Sequence, residues 1–412
     1  MIKHFSSGFT VAAAAIGMAI LAPIGFATIV LAQPSVTPVE IGVLMASHGD
    51  IDDIKVELQD YIKTAFAKNV GIPFPYWIRP ALSEPAYLLS VNKVSDQYRM
   101  IGPTHYRANS ASQVAAVTAQ LQKLGLNARA YVGFNFARPL IEETLARMQA
   151  DGIKKFVVFN KGAQYSFASS GENIGDVRQY LLHHPEWNVE AIGFHQYSED
   201  QRFREVWARA IERDVQRFFS SWPTKDVCIL LGSHGLPVRM TQAGDPAIPA
   251  MLRAVAWLRT RLPQYPIYHG FLNDDFIPGA TWASPATSEV AKQIRSDACP
   301  NVLMDGRLSF TTHHRATLYD LDYVARTTIE KPDFGPTGIP HPLWQKPNVI
   351  LAPQFDADVD HAELIAQLAL EAFGAATVDF DLGTSRDSER PSPDIEIIKR
   401  SGGPLLPKLQ YP

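Results

Sequence analysis

From residue 40 onward, short and continuous apolar runs alternate with longer stretches whose apolar positions recur at helical spacing. The runs are IGVLMA (41–46), ARAYVGF (128–134), KFVVFN (155–160), VEAIGF (189–194), VCILLG (227–232), PIYHGF (266–271), NVLMDG (301–306) and NVILAP (348–353). They lack the clean one-in-two alternation of a half-exposed strand and read as strands buried on both faces. Between them, SQVAAVTAQLQKLG, RPLIEETLARMQADG and TSEVAKQIRSDA carry amphipathic helical patterns. In the second of these, Leu140, Ile141, Leu145 and Met148 fall on one face. Strand–helix alternation predicts an α/β fold whose parallel sheets are built from right-handed crossovers. A last helix is expected in DADVDHAELIAQLALEAFG (356–374), and the polar segment after residue 380 reads as a disordered tail.

Two of the apolar runs end on the same tripeptide, Ser-His-Gly, at His48 and at His234. The repeat predicts two similar halves, 40–219 and 220–375, the second carrying the C-terminal helix, with the Pro-containing SSWPTKD (220–226) at the junction. In open α/β sheets ligands bind beyond the carboxyl ends of the strands. His48, His234, Gln164-Tyr165-Ser166 and His313-His314 all follow such ends, so one cleft can collect them. Imidazole binds borderline divalent metals and exchanges a proton near neutral pH, which makes these histidines the candidate chemistry. Gly49 and Gly235 allow a sharp turn and the close approach of a flat ligand. The Gly- and Ser-rich SFASSGENIG (166–175) reads either as an anion cradle or as a helix-capping loop.

Composition narrows the choice. A net charge of −4 gives no basic footprint for nucleic acid. Two cysteines, Cys228 and Cys299, exclude a disulfide framework and an Fe–S cluster held by four protein thiolates. They are expected as buried thiols, with a single disulfide between neighbouring strands as the alternative. HExxH, CxxC, GxSxG and Walker A patterns are absent from the chain. At the start, Lys3 precedes a stretch without Lys, Arg, Asp or Glu that runs to Glu40 and contains FTVAAAAIGMAILAPIGFATIVLA. Residues 1–32 therefore read as a signal peptide or an N-terminal membrane anchor. Either places the remainder outside the cytoplasm, in a periplasm or its equivalent, with membrane association in the second case. A cytoplasmic location follows only if that segment is misread.

Four stretches then resemble the ferrochelatase family, in its order along the chain. They are QYSFASSG (164–171), SHGLPVRMTQAGDP (233–246), WASPAT (282–287) and FTTHHRATLYDLDY (310–323). Weaker echoes are QYRMIG (97–102) and GFNFARPLIEETLARMQADG (133–152). The resemblance implies two Rossmann-like or flavodoxin-like halves with parallel sheets, the chelatase fold, enclosing a porphyrin cleft. It implies a lyase that inserts Fe(II), as substrate rather than resident cofactor, into a porphyrin to make haem, with no prosthetic group. His234 aligns with the family's active-site His, as base or metal ligand, and Trp282 with an aromatic residue of the porphyrin pocket. Tyr165, Ser166 and Arg99 are further candidates for the porphyrin, the last for a propionate. His48, His313 and His314 join His234 as candidate metal ligands.

Two departures stand out. Where the family carries a Glu opposite its His, this chain has Ala316, which neither binds metal nor accepts a proton. His313, Asp320 and Asp322 are the candidate substitutes, Asp320 lying one helical turn beyond Ala316. His48 stands where some members have a Tyr, and MASHGD also resembles the strand-end His-Gly of the smaller sirohydrochlorin-type chelatases. The alternatives are thus an exported tetrapyrrole or metal carrier that has lost turnover, or a chelatase for cobalt or another tetrapyrrole.

Overall fold

All eight expected strands form, and they sort into two sheets of the same internal order. In the computed structural model residues 39–272, 280–332, 345–375 and 394–408 are described. The first sheet holds β1 (Ile41–Ser47), β2 (Ala128–Phe134), β3 (Lys155–Asn160) and β4 (Glu190–Phe194) in the order β2-β1-β3-β4, all parallel. The second holds β5 (Val227–His234), β6 (Ile267–Leu272), β7 (Asn301–Asp305) and β8 (Asn348–Leu351) in the order β6-β5-β7-β8, again parallel. β1 and β5 therefore occupy equivalent places, and each is buried on both faces along nearly its whole length. That burial is why their sequences are continuous apolar runs.

The helices of the first part are α1 (Ile54–Lys68), α2 (Arg79–Ile101), α3 (Tyr106–Lys123), α4 (Ile141–Ala150), α5 (Ser170–His183) and α6 (Gln201–Phe219). Those that follow are α7 (Val238–Gln242), α8 (Ala247–Arg261), α9 (Thr287–Ser296), a π-helix (Ala316–Ala325), α10 (Arg326–Ile329) and α11 (Val359–Ala375). In α4 the expected face is the buried one: Ile141, Leu145 and Met148 are all packed in the core of the first sheet.

The two sheets exchange helices. α6 follows β4 of the first sheet yet packs on β7 and α8 of the second, where Trp207 Nε1–H donates to Asp305 Oδ1 at 3.0 Å. α11 follows β8 of the second sheet yet packs on α3, β3 and β4 of the first. The C-terminal helix is therefore not part of the second sheet's layer, because its apolar residues find their partners across the molecule.

The expected disordered tail also needs correction. Residues Ile395–Lys399 form β9, which adds antiparallel to β4 at the edge of the first sheet. Its charges are what hid it, and each is met on burial. Glu396 accepts from Arg178 and from His195 Nε2 (2.9 Å), and Lys399 Nζ donates to the Trp187 carbonyl at 2.8 Å. The N-terminal segment 1–32 and residues 376–393 lie outside the described residues. Among the described residues no helix is long and apolar enough to cross a membrane.

Cys228 and Cys299 are not a pair of thiols but a disulfide, Cα–Cα 6.2 Å. β5 and β7 are neighbours, with Cys228 opposite Val302, and Cys299 lies just before β7. The bond closes a separation of 71 residues, for which chain entropy gives about 4 kcal/mol. Reduction, or the double change Cys228→Ala and Cys299→Ala, is expected to lower the urea midpoint by the equivalent of about 2–4 kcal/mol. Coincident unfolding curves with and without reductant would refute this.

His361 on α11 is fully buried and stacks on Phe355 (centroids 4.5 Å, planes 3° apart), and neither ring nitrogen has a hydrogen-bond partner. Burial pushes it from 6.5 down to about 4. The unfolded chain thus binds the extra proton between those pH values, so its contribution is complete above about pH 6.5 and is lost as pH falls toward 4. His361→Phe keeps the stack and cannot charge. Its stability is expected to match wild type at pH 8 and to exceed it by up to about 3 kcal/mol near pH 4, measured by urea titration across pH. Parallel pH curves for the two proteins would contradict the assignment.

Candidate active site

The order β2-β1-β3 sends the chain away from β1 in opposite directions on its two sides, and β6-β5-β7 does the same for β5. Such switch points leave a crevice at the carboxyl ends of the strands. Both Ser-His-Gly tripeptides stand there. Both sheets belong to one compact unit, 38–412, and the two crevices open on one cleft. The serines anchor the strand ends: Ser47 Oγ bonds Tyr106 OH at 2.9 Å, and Ser233 Oγ bonds His269 Nε2 at 3.1 Å. Gly49 takes φ +82°, and a Cβ there would meet the Phe134 Cβ at 2.7 Å. Only glycine fits that turn.

The loops around the cleft are held by buried polar contacts between segments far apart in the chain. Asp245 is 1% exposed. Its Oδ2 accepts from Ser166 Oγ and from the Phe167 amide, each at 2.8 Å, while Oδ1 accepts from the Ala247 amide at 3.0 Å. The Asp of GDP thus grips the loop QYSFASSG. Gln164 Nε2 adds a bond to the Leu308 carbonyl at 2.9 Å. After β7, the buried Arg307 pairs with Asp305 and with Asp214 (2.8 Å), which fixes the segment leading to the double histidine.

The cleft wall carries His48, Ser166, His234, Trp282 and His314 from the sequence candidates, together with Asp50, Lys161, Phe310, Arg315 and Ala316. His234 ends β5, half-buried, with the Phe310 ring 5.8 Å away. His314 lies 4.2 Å from that same ring. Burial first, and then the charges of His234, Arg315 and the other histidines, hold His314 well below the usual imidazole range. It is neutral at physiological pH, and its Nδ1 lies 3.3 Å from Thr317 Oγ1. Trp282 is tied beside Leu236-Pro237 by backbone pairing, the Ala283 amide donating to the Leu236 carbonyl at 2.9 Å.

Other candidates sit differently from the expectation. His48 lines the cleft, but its Nε2 is engaged by the Ala168 carbonyl and lies 3.6 Å from Glu172, while its ring stacks on Phe136. Ser166 lines the cleft with its hydroxyl committed to Asp245. Tyr165 is buried behind the loop, its ring 5.0 Å from that of His195 and 6.1 Å from that of Phe167, and it does not line the cleft. Arg99, in the last turn of α2, is exposed, pairs with Asp96 at 2.7 Å and does not line the cleft. His313 turns away toward Thr317 and Gln354 at the end of β8, and burial pushes it down to about 4. Among the described residues no three His, Cys, Asp or Glu side chains converge as a resident metal would require. The four histidines are therefore not one preformed metal site.

Neither Asp320 nor Asp322 substitutes at Ala316. Asp322 pairs with Arg326, and neither carboxylate lines the cleft. The carboxylate that does is Asp50, two residues beyond the first histidine. Its Oδ2 accepts from the Arg315 amide at 2.8 Å and its Oδ1 from the Ile51 amide at 2.8 Å and from Tyr98 OH. Burial, opposed by those donors, raises it to about 6. Ala316 opens the π-helix, a form concentrated at functional sites.

This arrangement has relatives. The family model for ferrochelatase matches residues 40–352. The chain belongs to the ferrochelatase family. It is similar to a ferrochelatase of Cyanothece sp., 25% identical over 347 residues, covering 83% of this chain and 84% of that one. It is also similar to the mitochondrial ferrochelatase of Bos taurus, 24% identical, covering 71% and 70%. Among solved structures, SirB from Bacillus subtilis with Fe3+ has a TM-score of 0.47 at 12% identity, covering 83% of this chain and all of that one. Membership in the ferrochelatase family makes the chain a relative of enzymes that insert a metal into a tetrapyrrole, with Ala316 as a departure inside the matched region.

Asp245→Ala removes three hydrogen bonds to a buried carboxylate and strands two amides and a hydroxyl. The expected loss is on the order of 3 kcal/mol or more in urea unfolding. A variant as stable as wild type would show that the loop is held by something else.

Proposed function

We propose that this protein inserts a divalent metal, Fe(II) in the first place, into a porphyrin bound in the cleft, forming haem. The observation that carries the reading is the meeting of His234, His314 and Trp282 on one cleft wall in a chain of the ferrochelatase family. Insertion requires loss of two pyrrole protons and replacement of the metal's waters. A neutral imidazole does either. His234 takes the role of base. His314, which burial keeps neutral, offers its lone pair to the incoming metal. Trp282 gives the macrocycle a flat apolar face. Asp50 supplies the carboxyl that Ala316 lacks, from the other sheet and one residue away along the Arg315 backbone bond. At about 6 it exchanges a proton near neutral pH. His48 is read as a positioning residue for the loop at Ala168.

We propose that the activity lies outside the cytoplasm. The disulfide supports this, since such bonds persist in oxidising compartments, and so does the apolar stretch before Gln33.

The test mixes the full chain, without air, with a porphyrin and Fe(II), and in parallel with Zn(II) and Co(II). Absorption bands report binding and metallation separately. Wild type is expected to metallate the porphyrin. His234→Ala should lower that rate by about 10²- to 10⁴-fold with porphyrin affinity nearly unchanged. Tight binding without turnover by wild type would instead make the protein a carrier. Preference for Co(II) over Fe(II) would displace the haem assignment alone.

A further inference from the structure

We propose that Glu172 is a positioning residue that latches the loop between α1 and α2 onto the cleft, and so sets how slowly a bound porphyrin leaves; this rests on the porphyrin reading above. Asn69 and Gly71 of that loop line the cleft, while Tyr76 and Trp77, a few residues on, are 57% and 81% exposed. The loop therefore has the cleft on one side and solvent on the other. Arg79, buried at the start of α2, stitches it from within. Its Nε donates to the Phe74 carbonyl at 2.7 Å, Nη1 to that of Asn69 at 2.8 Å and Nη2 to that of Ile72 at 2.9 Å. A loop closed on its own side chain in this way moves as one piece.

Polar ties fasten that piece on both sides of the cleft. The Val70 amide donates to Glu172 Oε1 in the first turn of α5, and the Arg239 guanidinium of α7 donates to the Gly71 carbonyl. Lys68, the last residue of α1, adds a pair to Asp176 at 3.1 Å, one turn further along α5. Of these ties, Glu172 also reaches the histidine of the first sheet: its Oε2, without a hydrogen bond, lies 3.6 Å from His48 Nε2. Only 11% of its side chain is exposed, so the amide bonds an ion largely withdrawn from water, where such a bond is strongest. Opening the loop breaks that bond, and its strength therefore enters the rate of escape from the cleft.

The test preloads the full chain with mesoporphyrin and follows its release into excess serum albumin by stopped-flow fluorescence. Glu172→Ala is expected to speed release about 5- to 10-fold, with association changed less. Val70→Pro removes the other partner, the amide. Val70 is the second residue of a turn closed by the Ile72 amide on the Asn69 carbonyl at 3.1 Å, and Asn69 holds φ −59° and ψ 121°, so proline fits there. It should speed release by the same factor, and the double variant should be no faster than either single one. Release at the wild-type rate from a Glu172→Ala protein that still binds porphyrin overturns the latch, even where its urea midpoint falls, since a merely structural residue moves only the midpoint. Additive effects, or a silent Val70→Pro beside a fast Glu172→Ala, overturn it too, because the effect then runs through His48. All of these leave the porphyrin reading standing. A wild type that takes up no porphyrin overturns both.

Discussion

The cleft depends on one buried carboxylate. Asp245 reaches from the turn before α8 to the loop after β3, and its two oxygens satisfy two amides and a hydroxyl. Without it, the backbone of that loop would face the interior with donors unmet, which buried segments rarely tolerate. The contacts around it repeat the principle. Gln164 bonds the Leu308 carbonyl, Asp50 the Arg315 amide, Trp207 the Asp305 carboxylate and Arg239 the Gly71 carbonyl. Each joins segments more than ninety residues apart. With α6 and α11 exchanged between the sheets, these bonds hold two switch points against one another. A cleft that must present several groups to one flat ligand needs that rigidity.

How much of this was legible follows from what each feature owes to its own residues. The strands were legible because burial on both faces leaves one kind of side chain along their length. The switch-point histidines were legible because the tripeptide repeats. β9 was not: in IEIIK the charges of Glu396 and Lys399 read as solvent-facing until Arg178, His195 and the Trp187 carbonyl meet them. The layer to which α11 belongs was hidden too, since an amphipathic pattern names a buried face and not its partner. Lys161 and Asp50 were missed for a related reason. A single charged residue just after a strand is ordinarily a solvated end, and only the packing of α3 and of the loop after β7 turns Lys161 into a buried ion.

Burial governs the chemistry as well as the packing. Out of contact with water an imidazole keeps its lone pair, and the neighbouring charges of Arg315 and the other histidines reinforce this at His314. The same burial acts in reverse on a carboxyl and raises Asp50. One low-dielectric cleft thus holds an unprotonated nitrogen and a carboxyl poised near neutrality, which is how acid and base roles are separated without unusual residues.

Ala316 fits this logic once the backbone is considered. A carboxylate at residue 316 would enter the cleft from the π-helix. Asp50 enters from the opposite sheet, yet its Oδ2 is bonded to the amide of residue 315, so its position is set by the same turn of the π-helix. On the function proposed above, the acid would have changed its covalent attachment while remaining beside the same helix end. On that same function, loss of the glutamate is then no argument against turnover, because Asp50 offers a titratable oxygen beside that same turn.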